Sequence, residues 1–332
     1  MINPEENPEF LNDFLAYSST ILNKSENTIK EYNYDLAHFL KYISFKYKLT
    51  DVKDEEFIKT IKINNFELKT LEKITLPDIH SFLSYLKTCY NCKPATLARK
   101  TASIKVFFKY MCNKTKKIPT NPAQDLETPK IGKRLPKYLT LEQSKELLEA
   151  SASLEGHGNH DNTERNFAMI TILLNCGVRL SELVGINISD IDFENNKMNV
   201  VGKGDKERTI YLNNACMKAI KKYLEVRPRE GVKFNSRDAL FLSEQKKRIS
   251  RRTVQYIVKN ELRNAGIEKA STYSVHKLRH TAATLIYKYG NVDIRALQEL
   301  LGHESISTTE IYTHVDNEQI RNAVENNPLA NL

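Results

Sequence analysis

Four short strings in the C-terminal half of the chain carry charged or hydrogen-bonding residues where a folded domain would ordinarily use neutral ones. In chain order they read NCGVRLSEL, VGKGDKER, HKLRHTAAT and LGHESISTTEIYTHV. The side chains in them that could do chemistry are Arg179, Lys203, His276, Arg279, His303 and Tyr312. Cationic and hydrogen-bonding groups that converge on a tyrosine hydroxyl suit an anionic transition state. The reaction that this set indicates is attack of the phenolic oxygen on a phosphodiester.

The two arginines suit the non-bridging oxygens of that phosphodiester. In-line attack gathers negative charge on those oxygens, and a guanidinium fork binds them bidentately while staying charged at any working pH. Arg179 follows Gly177-Val178 at a predicted helix end, and Arg279 lies three residues after His276 on one helix face. We therefore expect both arginines to point into one cleft, although either one alone would most often be a surface residue.

The histidines suit proton transfer, because an imidazole titrates close to neutrality. His276 and His280 have the i, i+4 spacing of a zinc-protease helix, but Lys277 occupies the place of the glutamate that such a site requires. Metal-dependent hydrolysis is therefore rejected, and His280 is interpreted as a structural neighbour under the site. No metal or other cofactor is expected, because two arginines, one histidine and one lysine would already surround the phosphate.

Together the four strings resemble the tyrosine recombinase (phage integrase) family, and most closely its Xer-type members. The resemblance is strong over Leu139–Val315 and looser over the helical N-terminal part. It implies that Tyr312, nine positions after His303, attacks the scissile phosphorus and becomes joined to the DNA 3′-phosphate. The 5′-hydroxyl is then free, and the stored bond energy removes any need for ATP. Without the LGH string, one tyrosine among the 16 of this chain would be interpreted as a core or interface aromatic.

The resemblance also implies roles for the other polar side chains. His276 would be the general base or proton acceptor for the tyrosine, and His303 would be an additional hydrogen-bond donor to the phosphate. Glu182 matches an acidic position of the family and would orient an arginine or a histidine.

Lys203 would be the general acid that protonates the departing 5′-oxygen. It lies in a glycine-flanked turn between two predicted strands, where a lysine is more often simply solvated. Lys206 and Arg208 remain alternatives for the same role.

The implied activity is that of a site-specific DNA recombinase. Such an enzyme cuts and rejoins two duplexes through a 3′-phosphotyrosyl intermediate and a Holliday junction. The biological setting stays open between chromosome dimer resolution, which serves chromosome partition at cell division, and integration or excision of a mobile element. Two alternatives remain: a type IB topoisomerase, which shares the chemistry, and a non-catalytic DNA-binding protein that retains the fold.

The resemblance further implies a homo-oligomer, namely a tetramer on two sites in double-stranded DNA, in which the C-terminal tail of each protomer docks on its neighbour. Packing of the tail on its own domain is the alternative. Whether a second related recombinase takes part is left open. A formal charge of +9 and a pI near 9.1 suit a polyanionic partner. No apolar run is long enough for a signal peptide or membrane span, so a cytoplasmic protein is expected. The single CxxC, Cys89 to Cys92, has no second pair to complete a zinc site.

Hydrophobic periodicity and punctuation predict two domains in the 332 residues. Apolar residues recur at helical spacing from Glu9 to Lys117, which predicts a helical core-DNA-binding bundle of the SAM-like kind over residues 1–126. Prolines and basic residues mark a linker over residues 127–137. The catalytic domain, residues 138–332 with a C-terminal tail helix, is predicted to be mostly α with a small three-stranded antiparallel sheet.

The strands of that sheet are predicted at Asp190–Phe193, Lys197–Val201 and Glu207–Tyr211. The polar stretch Ser153–Thr163 is interpreted as a flexible loop, and the charged stretch Asp51–Lys73 as an irregular connection with a short helix; neither has a functional interpretation.

DNA contacts are expected from both domains. The predicted helix Thr96–Tyr110 and a second basic helix near residue 251 each carry residues suited to grooves or phosphates, and a solvated charged face is the alternative for each. The expected DNA-binding residues are Arg99, Lys100, Lys105, Arg251, Arg252 and Gln255.

Overall fold

The structure is a computed structural model, and it describes residues 2–130, 132, 137–153, 160–202, 207–290 and 292–302. The chain divides into two units, Met1–Lys133 and Arg134–Leu332, each with its own hydrophobic core. Within these described ranges, none of the helices combines the length and the apolar character needed to cross a membrane.

The N-terminal unit is helical, as its periodicity predicts. Its α-helices are α1 (Glu9–Thr20), α2 (Glu26–Lys46), α3 (Leu68–Glu72), α4 (Leu76–Tyr90) and α5 (Pro94–Lys109). Short 3-10 helices span Pro4–Glu6 and Glu55–Thr60, and a π-helical turn, Tyr110–Lys114, follows α5. Aromatic side chains from α1, α2, α4 and α5 fill the core, with Phe14, Phe39, Phe82, Phe107 and Phe108 fully buried.

Local sequence signals set the starts of these helices. The Ser25 hydroxyl accepts a hydrogen bond from the Thr28 backbone N–H at 3.3 Å and so caps α2. Thr75 and Asp78 form a capping box at the start of α4. Pro94 occupies the first turn of α5, where its missing N–H costs nothing.

The C-terminal unit is mostly helical with one small sheet, which confirms the predicted fold class. Its α-helices are α6 (Leu141–Ala152), α7 (His160–Cys176), α8 (Leu180–Gly185), α9 (Asn214–Val226), α10 (Arg251–Asn264), α11 (Val275–Tyr289) and α12 (Ile294–Leu301). Its strands are β1 (Ile191–Asp192), β2 (Lys197–Val201) and β3 (Glu207–Tyr211). The central helix α7 packs against α6, α9 and α11. The prediction of a loop over Ser153–Thr163 was wrong at its end, because α7 already begins at His160.

The sheet is an antiparallel meander in the order β1-β2-β3. Met198 pairs with Ile210 and Val200 pairs with Arg208. Because side chains alternate along a strand, Arg208 lies on the same face of β3 as the buried Ile210. An arginine is thereby directed inward, toward the helices that carry the predicted site.

Candidate active site

Arg179 is held where α8 begins. It is the N-cap residue of that helix, and the Glu182 carboxylate, at the third helical position, accepts hydrogen bonds from it. The Arg179 backbone N–H donates to Glu182 Oε2 at 2.8 Å, and Arg179 Nη1 donates to Glu182 Oε1 at 2.7 Å. About a third of the Arg179 side chain is exposed, at 30%. The guanidinium is therefore both fixed by a neighbour and open to an anion.

Glu182 is a buried carboxylate with two cationic partners. Its side chain is fully buried, and Arg208 Nη2 donates to Oε2 at 2.9 Å in addition to the two hydrogen bonds from Arg179. Burial alone would raise the pKa of Glu182, but the hydrogen bonds and charges of Arg208 and Arg179 outweigh burial and hold that pKa below its usual value. Glu182 is consequently an ionised anchor for two guanidinium groups.

Arg279 lies deeper in the same cluster. It extends from α11, and its Nη1 donates to the Gly177 carbonyl while its Nη2 donates to the Leu301 carbonyl, both at 2.6 Å. Only 3% of the residue is exposed. The backbone turn at Gly177, with φ of +58°, presents that carbonyl and leads directly into Arg179. The two predicted phosphate ligands are thus brought to adjacent parts of one site.

Three guanidinium groups bind the last turn of α12. Arg208 Nη1 donates to the Leu300 carbonyl, Arg279 Nη2 to the Leu301 carbonyl, and Arg179 Nη2 to the Gly302 carbonyl at 2.5 Å. These carbonyls carry the partial negative charge of a helix C-terminus, which cations stabilise. Gly302 ends the helix in the left-handed region at φ +63°.

Gly302→Ala should destabilise the protein by roughly 1 to 3 kcal/mol. The backbone at this position is in the left-handed region, which strains any residue with a Cβ, and that Cβ would lie 2.8 Å from Arg208 Cδ. Urea unfolding of the DNA-free protein measures the effect. Gly185→Ala is the matched control, because a Cβ at that position meets nothing within 4 Å. A parental midpoint for Gly302→Ala would contradict the tight approach of Arg208 to the α12 terminus.

His276 and His280 share one turn of α11. Their Nε2 atoms lie 3.1 Å apart, so one ring donates to the other and the shared hydrogen bond requires at least one neutral imidazole. Burial lowers the pKa of His276, and the charges of Arg279 and Arg179 lower it further. Burial lowers the pKa of His280 from 6.5 to about 4, with added repulsion from His276, Arg279 and Lys277. Both imidazoles are therefore held neutral near neutral pH.

The lowered pKa of His280 should make the stability of the protein depend on pH. Above pH 6.5 His280 is neutral in both folded and unfolded chains, and its contribution is fully present. Below that pH the unfolded chain binds the proton first, so stability is lost as pH falls from 6.5 to about 4. The difference in unfolding free energy between the parental protein and His280→Asn, measured by urea titration, should change across this window. A difference that is constant from pH 7.5 to about 4 would contradict the lowered pKa.

The described residues bring together Arg179, Glu182, Arg279 and His276, while Lys203, His303 and Tyr312 lie outside them. Val201 pairs with Glu207, and Lys206, the alternative to Lys203, also lies outside the described residues. Sequence reasoning missed the part that Arg208 plays here. It named Arg208 only as a substitute acid, but its guanidinium is committed to Glu182 and the Leu300 carbonyl, and an arginine does not release its proton in proteins. The inward position of Arg208 on β3 was the available signal.

The N-terminal basic helix differs from its prediction at one residue. Lys100 is only 3% exposed and does not lie on an open basic face, because its ammonium binds the fully buried Asp35 carboxylate at 2.8 Å. Arg99 is partly exposed and binds the same carboxylate at 2.5 Å and Glu31 at 2.6 Å. Lys105 donates to the Leu126 carbonyl at 2.8 Å. A buried carboxylate requires a buried cation, which places Lys100 inside.

The basic residues at and just before the start of α10 are of two kinds: some are exposed and one binds backbone carbonyls. Arg251, Arg252 and Gln255 are exposed on the first turns of α10, which Ser250 caps. Arg248, just before the helix, donates instead to the carbonyls of Val184, Gly185 and Ile186.

Thiols and metal-binding side chains add little to the site. Among the residues that the structure describes, no three His, Cys, Asp or Glu side chains are grouped as a metal ion would need. Cys89 is exposed at the end of α4, whereas Cys176 and Cys216 are buried with their sulfurs 3.7 Å apart.

A helical bundle followed by a helical unit with a small sheet and an arginine-rich site defines the class of enzymes that exchange DNA strands through a tyrosine. Residues 137–319 match the phage integrase family. The chain is 50% identical over 323 residues to tyrosine recombinase XerC of Caldanaerobacter subterraneus subsp. tengcongensis, covering 97% of this chain and 88% of that protein. It is 34% identical over 308 residues to tyrosine recombinase XerD of Listeria monocytogenes, covering 92% and 94%.

A solved structure is similar over the whole length. The XerH site-specific recombinase bound to a palindromic difH substrate, in its post-cleavage complex, matches with a TM-score of 0.68 at 22% identity, covering 97% of each chain. The fold is therefore shared along nearly all of the sequence. This chain belongs to the phage integrase family and is a Xer-type tyrosine recombinase.

Proposed function

We propose that this recombinase cleaves DNA with Tyr312 and holds the scissile phosphate with Arg179 and Arg279. The observation that carries the proposal is the arginine cluster on the last turn of α12. Residue 303 follows that turn directly, and Tyr312 is nine positions further on. The guanidinium groups therefore lie at the start of the string that contains the nucleophile.

The remaining roles follow from charge and protonation. His276, neutral at working pH, accepts the tyrosine proton, and His303 donates a hydrogen bond to a non-bridging oxygen. Lys203 protonates the departing 5′-oxygen. Glu182 keeps the Arg179 guanidinium oriented by accepting from its Nη1, and it also accepts from the Arg179 backbone N–H. Cleavage leaves a 3′-phosphotyrosyl bond and a free 5′-hydroxyl. Attack by the 5′-hydroxyl of a second duplex then breaks the phosphotyrosyl bond, releases Tyr312 and joins the two strands.

We further propose how the two units divide the work. Residues 1–126 bind the core of the DNA site, residues 127–137 act as the linker, and residues 138–332 carry the chemistry and the oligomer contact. Arg251, Arg252 and Gln255 offer exposed contacts to DNA from α10, and the partly exposed Arg99 and Lys105 offer contacts from α5. The assembly proposed is a tetramer on two DNA sites in the cytoplasm. The kinship to XerC and XerD proteins favours chromosome dimer resolution over mobile-element integration.

Covalent trapping tests the proposed chemistry directly. The parental protein is incubated with a labelled site that is nicked close to the cleavage point, so that the 5′-hydroxyl fragment is lost and religation fails. A band that survives denaturant and disappears with protease is the expected result. A protein that shifts the site in native gels but yields no such band would be a DNA-binding protein that retains only the fold. Relaxation of supercoiled DNA lacking the site would instead favour a topoisomerase.

A further inference from the structure

Arg208 contacts two elements of the site from a third. It belongs to β3, its Nη2 binds Glu182 of α8, and its Nη1 binds the Leu300 carbonyl at the end of α12. Only 14% of its side chain is exposed. Arg208 thus spans the element that carries Arg179 and the element that leads to His303.

An arginine suits this place because its two Nη atoms lie in one rigid plane. A guanidinium fork can donate at once to a carboxylate and to a carbonyl in a fixed geometry, whereas the single ammonium of a lysine has no such fork. The carboxylate that it binds is also bound by Arg179. A shift of Arg208 would therefore be transmitted to Arg179 through Glu182 and to residue 303 through the backbone of α12.

The contact with α12 is close as well as polar. Gly302 offers no Cβ, and the Arg208 side chain occupies the space where one would stand. Both the hydrogen bond to Leu300 and this packing fix the distance between β3 and the end of α12. In the sequence, Lys203 and Lys206 come just before Glu207, with which the same strand begins.

We propose that Arg208 is a positioning residue for DNA cleavage, which is anchored on the end of α12 and holds the Arg179 guanidinium in place through Glu182 without touching the substrate. This inference rests on the proposed function of Arg179 as a ligand of the scissile phosphate. A displacement of a reacting group by about 1 Å can slow a reaction about 10²-fold. Loss of Arg208 is accordingly expected to slow cleavage by roughly 10- to 100-fold.

The test separates positioning from general support of the fold by varying the substrate. Single-turnover cleavage is measured at saturating protein on two nicked sites, one with the ordinary scissile phosphate and one with a methylphosphonate there. The methylphosphonate replaces one charged non-bridging oxygen by a neutral methyl group, so it depends less on guanidinium charge. Each of its two diastereomers is assayed separately.

Arg208→Gln should lose its rate mainly on the charged substrate. We expect cleavage of the phosphate to slow by roughly 10- to 100-fold and cleavage of the faster methylphosphonate diastereomer by less than about 3-fold. Arg179→Ala should show the same selectivity, because Arg208 acts through it. Arg208→Lys keeps a cation beside Glu182 without the fork, and should lie between the parental protein and Arg208→Gln.

Arg227→Lys is the matched structural control. Arg227 is also buried, at 8% exposure, but its guanidinium binds the carbonyls of Arg237, Ala239 and Leu240. Its substitution should lower the thermal midpoint and leave the ratio of the two cleavage rates at the parental value. The assay temperature is kept well below the midpoint of every variant.

Equal slowing of Arg208→Gln on both substrates, or no slowing on either, would overturn the positioning role. If Arg208→Gln does not fold, the two cleavage rates are measured on Arg208→Lys instead, and the same two results would overturn the role. A parental protein that forms no adduct on either substrate would instead reject the proposed function, so the two failures are distinguishable.

Discussion

Tyr312→Phe should bind its DNA site with nearly parental affinity and form no covalent complex. The phenolic oxygen is the only atom that the substitution removes, and under the proposed mechanism it is the atom that attacks phosphorus. The loss should therefore be complete within the detection limit, whereas the contacts that hold the duplex remain. An affinity measured by native gel shift and an adduct measured by denaturing electrophoresis separate the two effects.

Tyr289→Phe is the matched control for this prediction. Tyr289 ends α11 and is 67% exposed, so its hydroxyl can be removed without disturbing the core. Tyr287, two residues earlier, packs against the small cluster formed by Ala283, Leu297 and Leu301. If Tyr312→Phe still formed an adduct, Tyr287 or Tyr289 would become the next candidates for the nucleophile. Peptide mapping of the DNA-linked tyrosine would then identify which one.

The regular elements could be predicted from the sequence because their periodicities are local. The bounds of β2 and β3 agree with the prediction residue for residue, since Asn195-Asn196 precede β2 and the polar string from Gly202 to Lys206 separates the two strands. The start of α7 was missed because residues 160–165 are all polar, so they show no apolar period that would reveal a helix. The 3-10 helix Glu55–Thr60 and α3 were likewise too short to give more than a weak signal.

In the candidate site too, the local features could be predicted from the sequence and the tertiary contacts could not. Motif spacing was enough to bring Arg179, Glu182 and Arg279 into one region, because each is fixed to a helix whose register the apolar residues reveal. The inward turn of Lys100 toward Asp35 could not be predicted. Which of several neighbouring cations meets a buried carboxylate depends on tertiary packing between distant helices.

Arg208 shows what this limit means for function. The sequence VGKGDKER suggested a basic turn between two strands, in which Lys203, Lys206 or Arg208 could each serve as the general acid. The contacts of Arg208 with Glu182 and Leu300 remove it from that group. Under the proposed mechanism, Lys203 and Lys206 are the two remaining candidates for the general acid, and substrate chemistry can tell them apart.

Lys203→Ala should cleave an ordinary site roughly 10²- to 10⁴-fold more slowly than the parental protein, which is the effect typical of a lost general acid. The physical reason lies in the leaving group. A 5′-alkoxide is a strong base that must receive a proton as the P–O bond breaks. A 5′-thiolate needs far less help, because a thiol with a pKa of roughly 8.5 is much more acidic than an alcohol. A substrate in which sulfur replaces the bridging 5′-oxygen therefore bypasses the proton donor.

On that sulfur substrate Lys203→Ala should recover most of the parental cleavage rate. Arg179→Ala and Arg279→Ala should recover little, because their charges act on the non-bridging oxygens, which are the same in both substrates. Rates are compared under single-turnover conditions at saturating protein, so that differences in DNA affinity do not enter. Rescue of Lys206→Ala, without rescue of Lys203→Ala, would transfer the general-acid role to Lys206. Rescue of neither variant would place the proton donor outside the turn between β2 and β3, since Arg208 at its far end is held by Glu182 and the Leu300 carbonyl.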